Sequence, residues 1–552
     1  MRLPRSLCVV LVLLGSIPLL LTPAAFASAY NARPKLVVVI VIDQFRGDYL
    51  ERYRDQFGDG GFRVFLDRGA YFTDCNYDYA NTRTAPGHAT LFTGSYTSGH
   101  GIVANEWWDP QKKKRVTSVE DDTTKLVGVG GGKTGPGASP HNLLSDTLGD
   151  ELKLATGGKA RVFAISLKDR AAVLPAGFSG DAAYWIDQKS GDWITSTYYR
   201  PDLPEWVRNF NSSHRAEKYW NREWKDSDGN TLGSTASRSG KDGAPAGFYE
   251  IVGSTPFAND YQLEFAKELV LYEKLGTGSV TDLLVISLSA NDILGHQVGP
   301  DSPQMRGMAL ELDRQLAEFF NFLGHQIGMA NVWMALSADH GVAPLPEFAK
   351  TLRLPAANLD AKALREQINS LLSKKYAKKA DYVLDLDYPL AWLNEDAFAG
   401  IFLGHKESED EADAGEAMKQ AGLAGYFTKS QLARGETPPT EIGRRYAHSY
   451  SPEGGWYVVG IPSPFLVGIT KGTDHASPFS YDTHVPLAFY GLAFQPGTYR
   501  THAEPVDLAV TLASLLGINA PAQATGTVLT EALPPPHHST AASAAPPAGG
   551  TQ

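Results

Sequence analysis

The sequence predicts an α/β fold in which helices cover both faces of a mainly parallel central sheet. Several short runs are apolar throughout, as in KLVVVIVID at residues 35–43, which is typical of strands buried on both faces. Between such runs, apolar residues recur at helical spacing, as at residues 303–327. The chain has 552 residues, enough for one large α/β domain with insertions or for two domains. Buried strands that alternate with helices indicate this fold class.

The predicted elements follow one another along most of the chain. Strands are predicted at residues 35–43, 160–167, 282–290, 332–339 and 485–491. Helices are predicted at residues 142–158, 303–327 and 506–517. Gly158 and Gly517 stand at the ends of two of these helices, and glycine commonly ends a helix because it adopts the left-handed conformation without strain.

Two segments interrupt this alternation. Residues 183–260 are rich in Tyr, Trp, Ser, Gly and Asn, which predicts an irregular insertion that caps one end of the sheet. Residues 350–460 form a second predicted insertion, whose acidic run at 407–416 favours a solvated helix face over a metal site. We therefore predict one domain over residues 30–533 and a disordered, low-complexity tail at 534–552.

The N-terminus has the features of a secretory signal peptide at residues 1–29. Arg2 and Arg5 precede a long apolar stretch, and Ala27-Ser28-Ala29 fits a cleavage site. A membrane anchor is the alternative, but two prolines and the small residues at the end of the stretch argue against it. We expect a periplasmic or secreted protein with no membrane span after signal cleavage.

Charge and cysteine content narrow the function classes. The net charge is −11, and it becomes −13 once the signal peptide with its two arginines is removed. Such an acidic chain would repel nucleic acid as a bulk ligand, whereas local cations can still attract a small anion. The mature chain keeps only Cys75, so an internal disulfide is not possible, and we expect this cysteine to be buried. We also expect the protein to be a monomer.

Carboxylates and imidazoles follow three of the predicted strands. Asp43 ends the first strand, Asp292 and His296 follow the third, and Asp339-His340 follows the fourth. Because Asp and His suit divalent metals and open α/β sheets build their sites beyond the carboxyl ends of strands, two metals are indicated. The alternatives are a buried Asp–His hydrogen bond at Asp339-His340 and a helix cap at Asp43.

A hydroxyl lies in the turn-forming run Asn81-Thr-Arg-Thr84-Ala-Pro86-Gly-His88. A helix is predicted to start near Pro86, and a hydroxyl at its N-terminus would lie in positive potential that favours an alkoxide and a bound phosphate. Thr84 is therefore a candidate nucleophile. The alternative is that Thr84 only caps the helix.

The ordered set of these motifs, with Thr483-His484-Val-Pro, resembles the alkaline phosphatase superfamily in its type I phosphodiesterase/nucleotide pyrophosphatase-like division. The resemblance covers nearly all of residues 35–520 apart from the insertions. It implies two zinc ions. One would be held by Asp292, His296 and His484. The other would be held by Asp43, Asp339 and His340, and would contact Thr84. His475 is interpreted as structural.

Three further residues narrow the resemblance. Lys168 and Arg170 follow the strand at 160–167, and Asn105 lies in GIVANEWWD. This pattern is similar to the phosphate-irrepressible alkaline phosphatases with a threonine nucleophile, in which the matching residues hold phosphoryl oxygens. A monoester carries more terminal charge than a diester, so two cations directed at it favour monoesters. Without the resemblance, Lys168 and Arg170 would be read as surface charges.

The resemblance implies an exported alkaline phosphatase that cleaves small phosphate monoesters through a phosphothreonine at a two-zinc site. A phosphodiesterase or nucleotide pyrophosphatase on the same scaffold is the first alternative. A non-catalytic metal- or phosphate-binding protein is the second, and the hydroxyl among the ligands argues against it.

Overall fold

An 11-stranded sheet organises the computed structural model, which describes residues 33–129, 135–236, 246–399 and 406–534. From one edge to the other its strands are Gly497–Ala503, Ala70–Cys75, Leu487–Tyr490, Val332–Ser337, Leu36–Ile42, Asp282–Leu288, Val162–Ser166, Ala182–Ile186, Trp193–Ser196, Glu120–Val127 and Pro136–Ala138. The predicted signal peptide at 1–29 and nearly all of the predicted tail at 534–552 lie outside the described residues.

The middle of this sheet is parallel. The strand Leu36–Ile42 is buried along its whole length and pairs in parallel with Asp282–Leu288 on one side and Val332–Ser337 on the other. Val162–Ser166 and then Ala182–Ile186 continue the parallel order. Antiparallel pairings occur towards both edges, where Leu487–Tyr490 and Trp193–Ser196 join the parallel block. The predicted α/β class with a mainly parallel central sheet is confirmed.

Helices pack against this sheet and against a second, smaller sheet. The helices of eight or more residues are Thr84–Thr93, Leu148–Ala155, Asp169–Ala176, Glu205–Ser212, Pro256–Tyr272, Ala290–Val298, Pro303–Gln326, Ala361–Lys375, Glu407–Gln420, Glu441–His448 and Asp507–Leu516. The shorter helices are Tyr49–Arg52, Arg63–Arg68, Thr97–His100, Phe248–Ile251, Pro346–Thr351, Glu395–Phe398, Lys429–Ala433 and Ser480–Thr483.

Local chemistry sets several of these boundaries. The helix predicted at 142–158 begins only at Leu148, because Thr147 and Asp150 cap its first turn reciprocally. The helix predicted at 506–517 ends at Leu516, and Gly517 follows it with a φ of 64°. In the left-handed region a glycine avoids the steric penalty of a side chain, so this end is the one expected from the sequence.

The segment predicted as an insertion at 350–460 contains a second sheet. Its four antiparallel strands are, in spatial order, Val383–Asp387, Leu390–Leu393, Tyr457–Ile461 and Gly425–Thr428. Helices Ala361–Lys375 and Glu407–Gln420 pack on it around a separate apolar core. The acidic run is not wholly a solvated face, because Glu411 is buried and accepts hydrogen bonds from the Trp456 indole at 2.8 Å and the Ser430 amide at 3.0 Å.

The segment predicted as irregular at 183–260 is regular at its start. Ala182–Ile186 and Trp193–Ser196 extend the main sheet, and the side chains of both strands are buried. Further along, Glu223–Lys225 pairs with Thr231–Ser234 in a short hairpin. Two more strand pairs lie outside these sheets, Glu106–Asp109 with Lys114–Thr117 and Ala357–Asn358 with Leu466–Val467. Among the described helices, none combines the length and apolarity that a membrane crossing requires.

Candidate metal centre

Most of the predicted site residues converge at one edge of the parallel block. Asp43 follows the strand Leu36–Ile42, and Asp339 follows the neighbouring strand Val332–Ser337. On the other side, the strand Asp282–Leu288 leads into the helix Ala290–Val298, which carries Asp292. Parallel register brings these carboxyl ends together, and this is where open α/β sheets place their ligands.

Asp43, Asp339 and His340 form the first cluster. All three are fully buried, and the His340 Nε2 lies 3.5 Å from Asp43 Oδ1 and 3.6 Å from Asp339 Oδ2. These same three atoms have no hydrogen-bond partner among the described residues. Buried polar atoms are normally paired, so two carboxylate oxygens and an imidazole nitrogen that face one another without partners fit a divalent cation.

Asp292, His296 and His475 form the second cluster. The His296 Nε2 lies 3.1 Å from Asp292 Oδ1, and the His475 Nε2 lies 3.8 Å from the same oxygen. The two clusters adjoin, because Asp292, His340 and His475 also offer ligand atoms within 4.8 Å of one another. The Asp474 carboxylate is close to His296 and His475 and could supply a further oxygen.

The imidazoles of both clusters are oriented in the same way. In each, Nδ1 makes a hydrogen bond to a backbone carbonyl, so that Nε2 faces the cluster. The pairs are His296 with Thr473 at 2.8 Å, His340 with Gly341 at 2.9 Å and His475 with Thr82 at 2.6 Å. Histidines that bind metals commonly use their other ring nitrogen in this manner, because the hydrogen bond fixes the tautomer and the ring orientation.

The structure does not place His484 with these residues. Its Nε2 lies 3.0 Å from the Thr73 carbonyl oxygen, and a Cβ added at Gly47 would lie 2.7 Å from its ring. His484 is therefore held against the strand Ala70–Cys75, and among the described residues it belongs to no group that could hold a metal. The predicted placement of His484 is corrected, and His475 takes its place among the candidate ligands. A sequence signal existed, since Asp474-His475 repeats the dipeptide of Asp339-His340.

Burial and neighbouring charge shift the titration of these residues. Burial, together with Asp292 and Asp339, raises the pKa of Asp43 well above its usual range. Burial lowers the pKa of His340 and of His475, which keeps both imidazoles neutral, and a neutral imidazole is the form that binds metals. Burial also disfavours the charged form of His296, but the charges of Asp292 and Asp474 and the hydrogen bonds to Asp292 and Thr473 together outweigh burial and raise the pKa of His296 to about 10.

Thr84 lies beside both clusters. It is the first residue of the helix Thr84–Thr93, which begins two positions before the predicted start, and Arg83 occupies the cap position. Thr84 is therefore not the cap. The Lys168 ammonium lies 3.5 Å from its hydroxyl and 2.6 Å from a carboxylate oxygen of each of Asp43 and Asp292. The hydroxyl thus lies in the positive potential of a helix N-terminus and of an ammonium.

Asn105 and Arg170 both lie near the helix that carries Thr84. The Asn105 Oδ1 accepts a hydrogen bond from the Ala85 amide at 2.8 Å, which leaves its NH₂ group as a donor. Arg170 is in the first turn of the helix Asp169–Ala176, which packs against the helix of Thr84, and its buried Nε has no hydrogen-bond partner among the described residues. Two helix N-termini and two cations therefore create a site suited to a phosphate group.

An unpredicted ion pair connects the smaller sheet to the candidate nucleophile. The Arg83 Nη1 donates to Asp387 Oδ2 at 2.6 Å, and its Nη2 donates to the Tyr388 carbonyl at 2.6 Å. Arg83 is buried and directly precedes Thr84. No motif in the sequence pairs these distant residues, which lie 304 positions apart.

Comparison with known proteins identifies the family. Residues 37–421 match the family described as type I phosphodiesterase/nucleotide pyrophosphatase. The chain belongs to this family. Membership makes it a phosphoester hydrolase of the alkaline phosphatase superfamily, and it confirms the resemblance that the motifs predicted.

Full-length relatives support this membership. A protein of Myroides odoratus named calcium-transporting ATPase is 34% identical over 92% of this chain and 96% of its own length. Alkaline phosphatase PhoV of Synechococcus elongatus is 34% identical over 91% of this chain and 93% of its own length. Alkaline phosphatase PafA of Elizabethkingia meningoseptica is 32% identical over 91% of this chain and 95% of its own length.

The family fold is also seen in solved structures. The crystal structure of alkaline phosphatase PafA matches with a TM-score of 0.82 and 31% identity, over 91% of this chain and 99% of that chain. A solved PafA variant replaces a threonine by serine, and an asparagine, a lysine and an arginine by alanine. In that variant the threonine and asparagine are 21 positions apart and the lysine and arginine two positions apart, the same separations as Thr84 to Asn105 and Lys168 to Arg170.

Proposed function

We propose that the protein is an exported, zinc-dependent alkaline phosphatase that hydrolyses phosphate monoesters through a phosphothreonine intermediate. The observation that carries the proposal is the position of Thr84. Its hydroxyl lies at a helix N-terminus, 3.5 Å from the Lys168 ammonium, and beside two clusters of Asp and His. In the first of these clusters, three buried polar atoms without hydrogen-bond partners among the described residues face one another.

Two zinc ions fit the residues present. Asp43, Asp339 and His340 would hold one ion next to Thr84, and Asp292, His296 and His475 would hold the other. Carboxylate oxygen and neutral imidazole nitrogen are ligands that zinc prefers. When bound, the two ions would lower the pKa of the attacking hydroxyl and stabilise the charge on the leaving oxygen.

The chain's own residues account for the remaining requirements of the reaction. Thr84 attacks phosphorus in line, the ester oxygen leaves, and a phosphothreonine forms. Water then attacks the phosphothreonine from the vacated side and releases phosphate and the free Thr84 hydroxyl. Two displacements give net retention of configuration at phosphorus. The Asn105 amide and the Lys168 and Arg170 cations hold the equatorial oxygens and offset their charge.

Lys168 and Arg170 support monoesters as the preferred substrates. A monoester presents an additional anionic oxygen, and two cations near Thr84 stabilise that charge as it moves in the transition state. The names of PhoV and PafA as alkaline phosphatases agree with this proposal. The family description favours a second candidate, a phosphodiesterase or nucleotide pyrophosphatase, for which the same nucleophile would serve.

Export and chain organisation complete the proposal. Residues 1–29 would act as a cleaved signal peptide that delivers the protein to the periplasm or the medium, and residues 30–533 would form the catalytic domain. The substrates would be small phosphate esters, and the enzyme would act as a monomer.

Substrate comparison with defined metal content tests this function. The mature chain should bind two zinc ions by elemental analysis and should cleave p-nitrophenyl phosphate faster than bis-p-nitrophenyl phosphate. ATP belongs in the same series because the Myroides relative is named an ATPase. EDTA should remove activity and zinc should restore it. Faster cleavage of the diester would establish the second candidate, and activity that is indifferent to the chelator would refute the metal proposal.

A further inference from the structure

Gln44 connects the two ligand clusters. It follows Asp43 directly and is fully buried. Its backbone amide donates to Asp339 Oδ1 at 3.0 Å, and its side-chain Nε2 donates to Asp292 Oδ1 at 2.7 Å. One residue therefore holds a carboxylate of the first cluster through its backbone and a carboxylate of the second cluster through its side chain.

The backbone at Gln44 is in a conformation that favours glycine. Its φ is 62°, in the left-handed region that residues with a side chain rarely adopt. Glycine would adopt this backbone conformation without strain and would keep the hydrogen bond from the backbone amide to Asp339. A glutamine at such a position is accounted for by what its side chain does, and strained residues of this kind are concentrated at functional sites.

The helix that carries Asp292 and His296 is shaped around this side chain. A Cβ added at Gly295 would lie 1.9 Å from the Gln44 Oε1. The absence of a side chain at Gly295 therefore allows the amide to reach Asp292. The Gln44 Oε1 has no hydrogen-bond partner among the described residues, so the described contacts of this amide group come from its NH₂ group.

We propose that Gln44 is a positioning residue that orients Asp292 for the metal held by Asp292, His296 and His475. The proposal rests on the proposed two-zinc function. Donation from the amide to Oδ1 fixes the rotation of the carboxylate and thus the direction of its lone pairs. Hydrogen bonds to metal-binding carboxylates act in this way, and their loss lowers metal affinity. The other cluster keeps its bond from the Gln44 backbone whatever the side chain.

Two variants remove the hydrogen bond by independent routes. Gln44→Met fills a similar space but cannot donate to Asp292. Gly295→Ala keeps the glutamine but displaces its amide, and alanine favours the helix. Each variant should lower the affinity for one zinc ion by about 10- to 100-fold, the range expected when a metal ligand loses an outer hydrogen bond. The affinity for the other zinc ion should change by less than about threefold. Zinc affinities are measured by competition with a chelator, and the weakened site is assigned with His296→Ala.

Gln315→Met is the matched control. Gln315 is also buried, and its side-chain amide donates one hydrogen bond, to the Pro256 carbonyl at 2.9 Å. This hydrogen bond involves no residue of either cluster. This control should keep both zinc affinities. At saturating zinc, Gln44→Met, Gly295→Ala and Gln315→Met should all keep a KM near the wild-type value. Equal weakening of both ions, or unchanged zinc binding in both Gln44→Met and Gly295→Ala, would overturn the proposal. A wild-type protein that binds no zinc would instead refute the proposed function.

Discussion

The first prediction compares the zinc binding of two histidine variants, His475→Ala and His484→Ala. We expect His475→Ala to lose zinc and His484→Ala to keep it. The His475 ring points its Nε2 at Asp292 at 3.8 Å and anchors Nδ1 on the Thr82 carbonyl at 2.6 Å. The His484 ring instead bonds Thr73 and packs on Gly47. Of these two rings, only that of His475 belongs to a group of described residues that could hold a metal.

The two substitutions should differ in the quantity that they change. Loss of an outer hydrogen bond to a ligand costs about 10- to 100-fold in metal affinity, so loss of the His475 nitrogen itself should exceed 100-fold, or about 2.7 kcal/mol. For His484→Ala we expect no such loss. Its cost is one hydrogen bond and some packing, about 1–3 kcal/mol in the free energy of unfolding.

Two assays separate these outcomes. Chelator competition measures the affinity of each zinc ion, and thermal unfolding with and without zinc measures stability. His475→Ala should lower the melting temperature much more with zinc than without it, because the chain without metal loses only the hydrogen bond to Thr82 and some packing. His484→Ala should lower it by a similar amount in both conditions. If His484→Ala released zinc while His475→Ala retained two ions, the corrected ligand set would be wrong.

Further outcomes concern the nucleophile, the phosphate site and the smaller sheet. Thr84→Ala should abolish steady turnover with both zinc ions retained, and near-normal turnover would remove Thr84 as the nucleophile. Lys168→Ala combined with Arg170→Ala should slow monoester cleavage by about tenfold more than diester cleavage, since electrostatic stabilisation is lost where the extra charge lies; equal losses would undo the monoester preference. Asp387→Asn should lower kcat more than Asp385→Asn, because Asp387 pairs with Arg83 beside Thr84 while Asp385 pairs with Arg115 at 2.7 Å; equal kcat values would show that the Arg83 ion pair is only structural.

The central part of the fold was predictable because its signals are local. The strand at 35–43 and the helix at 303–327 were predicted within two residues of Leu36–Ile42 and Pro303–Gln326. A strand that is apolar on both faces must be buried, and its residues alone show this. An amphipathic helix is recognised by a 3.6-residue repeat of apolar residues, which can be read from neighbouring positions in the chain. The prediction of irregular structure from residue 183 was wrong where two short buried strands, Ala182–Ile186 and Trp193–Ser196, lie among turn-forming residues.

The site was only partly predictable. Asp43, Asp292 and Asp339 follow apolar strands, so the sheet itself indicates that they meet. His475 lies in a loop that does not directly follow a strand of the main sheet, and His484 lies shortly before the strand Leu487–Tyr490. The rule that relates sites to strands therefore gave no reason to prefer His475, and the motif resemblance indicated His484, which the structure places against Thr73.

The sequence by itself determined the α/β class, the family, the candidate nucleophile and five of the six proposed metal ligands, because each depends on a short pattern of residues. Only the tertiary structure decided which loop histidine completes the second cluster, and it alone revealed the contacts of Gln44 and Arg83. Those contacts join residues more than 240 positions apart. Their geometry depends on how separate loops pack over the sheet edge, and no local periodicity records that packing.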